Sequence, residues 1–437
     1  MANALLDVVY SFGHCLSCFP SSPTLKINSR SFKILRLLGE GGFSYVYLVQ
    51  DTTTAELFAL KKIRCPFGAE SVAQAMREVE AYRLLARADG IIHSIDYAVA
   101  TERGGGGGGG IGDNGGGPAK TVYIVLPYYR RGNLQDLINA NLVNHTQFPE
   151  KHLMQLFLGV CHALRAMHVY QGGPSTSAER MVVPGSNSNS NGNDSSNSRN
   201  TAEQNQRVSA AHAAASSGAD DEDESAQQQP LMAEETRVGR GKSYAHRDIK
   251  PGNIMIADDG TTPILMDLGS IAESPLAITS RSLAIATQDI AAEHSTMPYR
   301  APELFDVKTG AVIDTKVDIW SLGCTLYACL VGKSPFELRS DETGGSLAIC
   351  VLSGDWRFPD EGPGGKKKQR PPQRSNTAAS QTASAAPPPA HIDAVVSDSV
   401  RDVVRRCLAV EPAERPDIDD LIRLVEAVIR DLPSDRA

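Results

Sequence analysis

The chain has 437 residues, which is enough for one large domain or for two to three domains of ordinary size. Hydrophobic residues make up 41% of it and charged residues 22%, the composition of a globular protein that can bury a sizeable core. Its net charge of −8 argues against a general nucleic-acid-binding protein, and no apolar run approaches the roughly 20 residues of a membrane-spanning helix.

The amino-terminal residues 4–19 are apolar and contain Cys15 and Cys18. Half of a zinc site is one interpretation, but a second pair of ligands is missing. A redox pair would need a thioredoxin-like context, and plain structural thiols are a third interpretation. We favour S-acylation, because two acyl chains beside an apolar stretch anchor a protein stably, and Ala2 excludes N-myristoylation. Residues 1–30 are therefore predicted to be a membrane-anchoring segment.

Short alternating runs separated by turn residues follow this segment. Residues 32–38, 44–50 and 57–63 predict three antiparallel strands, and residues 70–86 predict a helix with one apolar face. Two more strands are predicted at 92–99 and 122–127. These elements together predict a small sheet lobe that carries one helix.

The later part of the chain has a helical period. Residues 153–168 show apolar side chains at i, i+3 and i+4, and residues 421–432 repeat this pattern near the end of the chain. Residues 317–331 are apolar almost all round, which indicates a helix that is buried on most faces. The predicted fold class is α+β, with a small sheet lobe followed by a larger, mainly helical lobe.

Three stretches have compositions that do not support a packed core. Residues 104–118 are a glycine tract, residues 171–243 are rich in Ser, Asn and Gln, and residues 360–392 are rich in Pro, Lys and Ser. Such segments bury too little apolar surface to offset a backbone ordering cost of roughly 1–2 kcal/mol per residue. We predict that all three are disordered insertions.

Two groups in the first half of the chain fit phosphate binding. Gly39, Gly41 and their neighbours form a glycine-rich turn between two predicted strands, where backbone N–H groups can approach a phosphate, although a plain β-turn explains the turn equally well. Lys61 lies on the third predicted strand between apolar neighbours, and Glu78 on the next helix is a possible partner. A lysine that is paired with a carboxylate stays charged and can bind phosphate oxygens.

The segment 244–255, with the sequence YAHRDIKPGNIM, is the most informative part of the chain. Phosphoryl transfer needs a carboxylate to orient the acceptor, a cation near the transferred group and an oxygen ligand for Mg²⁺. Asp248, Lys250 and Asn253 supply these three groups within six residues. Asp267 follows a short apolar run and suits a metal-binding carboxylate, although an ordinary turn explains that position alone.

In this order the motifs resemble the eukaryotic protein-kinase signature over about residues 32–432. The loop GEGGFSYVYLV, the DLGS motif and the stretch TMPYRAPELF are similar to the Numb-associated-kinase group, and within it to a palmitoylated branch of Golgi and vacuolar-membrane kinases. The motifs that carry the resemblance are Gly39, Gly41, Val46, Lys61, Glu78, His246-Arg247-Asp248, Asn253, Asp267-Leu268-Gly269, Ala301-Pro302-Glu303, Asp318 and Arg415.

The resemblance implies a two-lobed kinase domain over residues 31–434. Its N-lobe would be 31–126, its hinge 127–129 and its C-lobe 130–434. The implied catalytic residues are Asp248, Lys250, Asn253 and Lys61, and the implied metal ligands are Asn253 and Asp267. The implied nucleotide-binding residues are Gly39, Glu40, Gly41, Ser44, Val46, Ala59, Lys61, Glu78, Leu126 as gatekeeper, and Pro127 and Tyr129 of the hinge.

The implied activity is transfer of the γ-phosphate of ATP, with Mg²⁺, to Ser or Thr hydroxyls of protein substrates. The protein is expected to be a monomer that binds no nucleic acid and lies on the cytoplasmic face of a vacuolar or Golgi endomembrane. A pseudokinase scaffold and a small-molecule phosphotransferase are the alternatives. The complete catalytic set argues against the scaffold, and the segment 301–303 with Asp318 and Arg415 argues against the phosphotransferase.

The activation segment, from Asp267 to Glu303, is long, and residues 283–294 are predicted to form a helix within it. The resemblance implies that this helix holds the segment in an active form without phosphorylation. The alternative is that Arg247 pairs with a phosphate on Thr287, Ser295 or Thr296. Glu303 is expected to pair with Arg415, and Asp318 is expected to brace the catalytic loop.

Overall fold

In a computed structural model of the protein, residues 24–101, 120–170, 243–362 and 396–433 are described. They all belong to a unit formed by residues 1–171 and 241–437, and the second unit of the chain, residues 172–240, lies outside the described residues. Cys15, Cys18 and most of the three predicted insertions also lie outside them.

The first part of the chain forms an antiparallel sheet of six strands in the order β1-β2-β3-β4-β6-β5. Apolar side chains that include Phe32 and Phe58 are buried on one face of this sheet. A helix, α1 (Ala69–Leu84), buries Val79 and Tyr82 together with Ile124 of the sheet. The strands are β1 (Thr24–Ile27), β2 (Arg30–Glu40), β3 (Ser44–Asp51), β4 (Leu57–Cys65), β5 (Asp96–Thr101) and β6 (Lys120–Pro127).

Most predicted elements of this lobe are confirmed, with two differences. The strand predicted at 92–99 begins only at Asp96, because the N–H of Ile92 donates to the carbonyl of Leu265 instead of joining the sheet. Strand β1 was not predicted and lies within the segment 1–30 that we assigned to the membrane anchor. Four residues are too few for a periodicity signal, and only their pairing with β2 reveals the strand.

The second part of the chain is mainly helical, as predicted. Its helices are α2 (Leu134–Asn144), α3 (Glu150–His168), α4 (Arg281–His294), α5 (Lys316–Val331), α6 (Pro335–Thr343), α7 (Leu347–Ser353), α8 (Asp398–Cys407) and α9 (Ile418–Asp431). Helices α3, α4, α5 and α9 confirm the four helices expected from the sequence. Every residue of α5 from Val317 to Cys329 is buried, which explains why its sequence is apolar on all sides.

Three short antiparallel strand pairs shape the loops of this lobe. They are β7 (Ser243–Ala245) with β10 (Ala272–Ser274), β8 (Ile254–Ile256) with β9 (Pro263–Leu265), and β11 (Leu276–Ala277) with β12 (Val312–Ile313). Ser243, assigned to an insertion by its composition, therefore belongs to a strand. Asp360 and Glu361, assigned to another insertion, form a turn because both carboxylates pair with Arg401.

Arg415 links several segments of the helical lobe through hydrogen bonds of its buried side chain. Its side chain is 0% exposed and donates to both carboxylate oxygens of Glu303, at 2.7 and 2.9 Å. The remaining N–H groups donate to the carbonyls of Lys316, Ala409 and Val410. All five donors of the guanidinium are therefore satisfied, and the expected pairing of Glu303 with Arg415 is present.

Replacing Arg415 with Leu is expected to lower the free energy of unfolding by about 3–5 kcal/mol, because Glu303 is left without its buried partner. Urea denaturation measures the loss. Arg406→Leu is the matched control, since Arg406 is 59% exposed and pairs only with the exposed Asp402. That control is expected to cost less than about 1 kcal/mol. Equal losses in the two variants would contradict this account of Arg415.

Candidate active site

Lys61 and Glu78 form an ion pair between the sheet and helix α1. Lys61 lies on β4, in register with Val46 of β3 and Ile124 of β6. Its Nζ donates to the two carboxylate oxygens of Glu78 at 2.8 and 3.0 Å. Glu78 is only 6% exposed, so the pair sits in surroundings that screen its charges weakly. The partner that the sequence proposed for Lys61 is thus in contact with it.

Asp267 is the second carboxylate on Lys61, with 2.9 Å between Nζ and Oδ1. Burial by itself lowers the pKa of Lys61, but the charges of Asp267 and Glu78 outweigh burial and raise that pKa above its usual value. The ammonium of Lys61 in turn lowers the pKa of Asp267 to about 2. Both partners are therefore ionised at neutral pH.

The backbone of Asp267 is held in an uncommon conformation. Its φ of 63° and ψ of 76° lie in the left-handed region, which residues other than glycine rarely adopt. The hairpin of β8 and β9 precedes it, and the N–H of Met266 donates to the carbonyl of Asn253 at 2.9 Å. This ladder therefore brings Asp267 beside Asn253, although 14 residues separate them in the sequence.

Asp248 is the centre of a second cluster of polar side chains, and each of its two carboxylate oxygens accepts two hydrogen bonds. Oδ2 accepts from Lys250 Nζ at 2.8 Å and from Asn253 Nδ2 at 3.0 Å. Oδ1 accepts from the backbone N–H of Thr296 at 2.9 Å and from its hydroxyl at 2.7 Å. An ionised carboxylate has about four lone-pair positions, and in Asp248 all of them are engaged.

Asp318 fixes the loop that carries Asp248 by accepting hydrogen bonds from the backbone of that loop. The backbone N–H groups of His246 and Arg247 donate to the two oxygens of Asp318, each at 2.8 Å, and His168 Nε2 lies 2.8 Å from Oδ2. Asp318 is fully buried. Burial alone raises its pKa, but hydrogen bonds from His168 and the Arg247 amide outweigh this and lower the pKa of Asp318 below its ordinary value. An ionised, rigid acceptor therefore sets the loop conformation.

The apolar residues expected around a nucleotide lie next to one another on the sheet. Ala59 of β4, the strand that carries Lys61, is in register with Leu126 of the neighbouring strand β6. Val46 is in register with Gly39, and the N–H of Gly41 closes the glycine-rich turn on the carbonyl of Ser44 at 2.7 Å. Of the other candidates, Glu40 ends β2, Pro127 ends β6 and Tyr129 follows two residues later.

Asn253 and Asp267 have the donor chemistry of a magnesium site. Mg²⁺ prefers oxygen ligands and is commonly held by one or two protein groups together with substrate phosphates and water. The ionised carboxylate of Asp267 fits this role. The amide nitrogen of Asn253 makes its two hydrogen bonds to Asp248, which turns the amide oxygen away from that residue. Within the described ranges no cluster of three or more His, Cys, Asp or Glu side chains forms a metal site by itself.

Tyr82 belongs to this site, although the periodicity of residues 70–86 predicts only that it lies on the apolar face of a helix. It is 1% exposed, and its hydroxyl donates to Glu78 Oε1 at 2.9 Å. Burial raises the pKa of Tyr82 well above its ordinary value, and the charges of Glu78 and Asp267 raise it further, so the phenol stays protonated. The sequence signal for this contact is the spacing of four residues between Glu78 and Tyr82, which places the carboxylate and the hydroxyl on the same face of the helix.

The family described as protein kinase domain matches residues 32–172 and 241–424 of the chain. Serine/threonine-protein kinase ENV7 of Saccharomyces cerevisiae is 31% identical over 416 residues, which cover 93% of this chain and 94% of that protein. Serine/threonine-protein kinase ppk13 of Schizosaccharomyces pombe is 30% identical, with 92% of each chain covered. Human serine/threonine-protein kinase 16 is 29% identical, with 78% and 81% covered.

Tyr82→Phe tests the hydroxyl that supports Glu78, because it removes one oxygen and keeps the ring. We expect the free energy of unfolding in urea to fall by about 1.5–3 kcal/mol, the usual value for a hydrogen bond to a charged group. Tyr97→Phe is the control, since the Tyr97 hydroxyl accepts only from Arg83 in an exposed pair. The control is expected to lose less than about 1 kcal/mol. An unchanged Tyr82→Phe protein would show that Glu78 does not need this bond.

Proposed function

The chain belongs to the protein kinase family and is a serine/threonine-protein kinase, and we propose that Asp248, Lys250, Asn253 and Lys61 are its catalytic residues. The observation that carries the proposal is the convergence of polar groups that are far apart in the sequence. Lys61 contacts Glu78 and Asp267. The N–H of Met266, the residue before Asp267, donates to the carbonyl of Asn253, and the side chain of Asn253 donates to Asp248. The two clusters therefore adjoin each other, which supports a single active site.

Family membership implies the use of ATP and Mg²⁺ and of protein substrates. In the proposed reaction the hydroxyl oxygen of a substrate Ser or Thr forms a bond to the γ-phosphorus, and the bond from this phosphorus to the bridging oxygen of ADP breaks. Asp248 accepts the hydroxyl proton. All lone pairs of Asp248 are engaged, so one contact has to give way. Lys250 is 28% exposed, whereas Asn253 is buried, and we assign this exchange to Lys250.

Lys61 faces the same requirement when it binds phosphate. Its three N–H groups all donate to carboxylates, two to Glu78 and one to Asp267. Asp267 is 36% exposed and Glu78 is 6% exposed, so the bond to Asp267 is the one that phosphate oxygens replace. When bound, Mg²⁺ neutralises charge on the phosphate oxygens, and Asp267 and Asn253 would hold it. Glu78 keeps Lys61 oriented throughout.

The sheet supplies the proposed nucleotide-binding surface. Val46, Ala59 and Leu126 would contact the base, because they share the face of the sheet that carries Lys61. The turn around Gly41 would cover the phosphates with backbone N–H groups. The remaining residues assigned to this surface are Gly39, Glu40, Ser44, Pro127 and Tyr129.

Phosphate transfer from radiolabelled ATP to a generic protein substrate tests the catalytic assignment. Asp248→Ala removes the proton acceptor, and we expect kcat to fall by about 10²–10⁴-fold while the protein remains folded. Asp306→Ala is the matched control, because this aspartate is 66% exposed and pairs only with the nearby Lys308. The control is expected to retain full activity. If Asp248→Ala transfers phosphate at the normal rate, the assignment is wrong.

We also propose that Cys15 and Cys18 are S-acylated and attach the kinase, as a monomer, to the cytoplasmic face of a vacuolar or Golgi endomembrane. The support is the apolar sequence around the two thiols, which lie outside the described residues. Two acyl chains meet the requirement of two signals for stable attachment. In the part of the chain that the structure describes, no helix has the length and apolar character needed to cross a membrane.

Replacing Cys15 and Cys18 with Ser is expected to move the kinase from the membrane pellet to the supernatant after fractionation. Each single variant keeps one acyl chain, which binds membranes only marginally, and is expected to divide between the two fractions. Cys350→Ser is the control, since this buried thiol belongs to helix α7 and is expected to leave the distribution unchanged. A double variant that stays in the pellet would refute attachment through these thiols.

A further inference from the structure

Arg300 contacts the end of helix α4 through a set of buried hydrogen bonds. It is 7% exposed, and its Nε donates to the hydroxyl of Ser295 at 2.7 Å. Its Nη2 donates to the carbonyls of Ser295 and Ala292 at 2.9 and 3.3 Å. The guanidinium also lies 4.9 Å from the centre of the Phe305 ring. The catalytic assignments above use none of these contacts.

The end of a helix is a favourable place for such a cation. The last carbonyls of a helix have no partner within it, and the helix dipole places partial negative charge there. Arg300 donates to one of these carbonyls, that of Ala292, and to the carbonyl of Ser295, the residue that caps α4. Ser295 adds a second attachment, since its hydroxyl donates to the carbonyl of Ala291 at 2.6 Å while it accepts from Arg300. Ser295 is thus fixed from two sides.

Ser295 is followed directly by Thr296, whose backbone N–H and hydroxyl both donate to Asp248 Oδ1. A planar peptide bond joins Ser295 to Thr296, so fixing one residue limits where the next can place its donors. We propose that Arg300 and Ser295 are positioning residues, which act through Thr296 to hold the carboxylate of Asp248 in the orientation that accepts the substrate proton. This inference rests on the catalytic role proposed for Asp248.

Loss of the Ser295 hydroxyl is expected to impair the chemical step selectively. The contacts of Arg300 and Ser295 lead to Asp248, not to the cluster of Lys61, Glu78 and Asp267, so loss of Ser295 is expected to lower kcat without weakening ATP binding. The end of α4 also reaches helix α1, where Gln74 Nε2 and His294 Nε2 are 3.1 Å apart. That contact is exposed and uses neither Ser295 nor Arg300, so it remains in the variants below.

Ser295→Ala and Ser295→Thr form a matched pair of variants. Alanine removes the hydroxyl, and threonine keeps it in the extended backbone that this residue already adopts. Steady-state kinetics are measured on the full chain after phosphatase treatment, which removes any phosphate carried by residue 295. We expect kcat to fall about tenfold in Ser295→Ala, with the KM for ATP within about twofold of wild type, and to recover in Ser295→Thr. Arg300→Lys keeps the charge but loses the planar fork, and we expect kcat to fall at least as far.

Two results would overturn the inference. One is a folded Ser295→Ala enzyme whose kcat equals that of wild type. The other is a parallel loss of kcat, ATP affinity and melting temperature in all three variants, which indicates a structural role alone. Asp248→Ala is measured in the same assay. If this variant transfers phosphate as fast as the wild type, the proposed function is refuted as well. If Asp248→Ala is inactive while Ser295→Ala has the kcat of the wild type, only this inference is refuted.

Discussion

The arrangement of the cleft depends on Lys61, which donates its three N–H groups to two carboxylates from different elements. Glu78 comes from helix α1 and Asp267 from the loop after β9, so one ammonium group joins the sheet, the helix and the loop. Charges this close and this poorly solvated interact more strongly than they do at a surface. The same contacts keep Asp267 ionised, and an ionised Asp267 is the form that can bind a cation.

Buried carboxylates organise the second half of the site in the same way. Asp318 orients the loop backbone by accepting from two consecutive N–H groups, and Asp248 receives donors from Lys250, Asn253 and Thr296. A buried carboxylate is costly unless every lone pair has a partner. Each of these residues therefore fixes its donors, and the proton transfer proposed for Asp248 would have to displace one of the existing hydrogen bonds.

The three internal gaps between the described residues, at 102–119, 171–242 and 363–395, lie between residues that contact one another. Thr101 pairs with Lys120 in the sheet, Tyr170 packs edge-on against Tyr244, and Asp360 pairs with Arg401 across the third gap. Each contact closes the described fold across one of these gaps. The entropy cost of closing a loop grows only with the logarithm of its length, so a long segment between such positions adds little to the cost of folding.

The sequence alone determined the kinase assignment, the strands β2, β3 and β4, the helices α1, α3, α4, α5 and α9, and the identity of the residues that meet in the cleft. The elements follow from periodicity, whereas the kinase assignment and the site residues follow from motifs that resemble the protein-kinase signature. The tertiary structure decided the pairing of β1, the later start of β5, the hydroxyl of Tyr82 on Glu78 and the contact of Arg300 with Ser295. A periodic pattern shows which side of an element is apolar, but hydrogen-bond partners depend on how elements pack, as with Lys61 and Asp267, which are 206 residues apart.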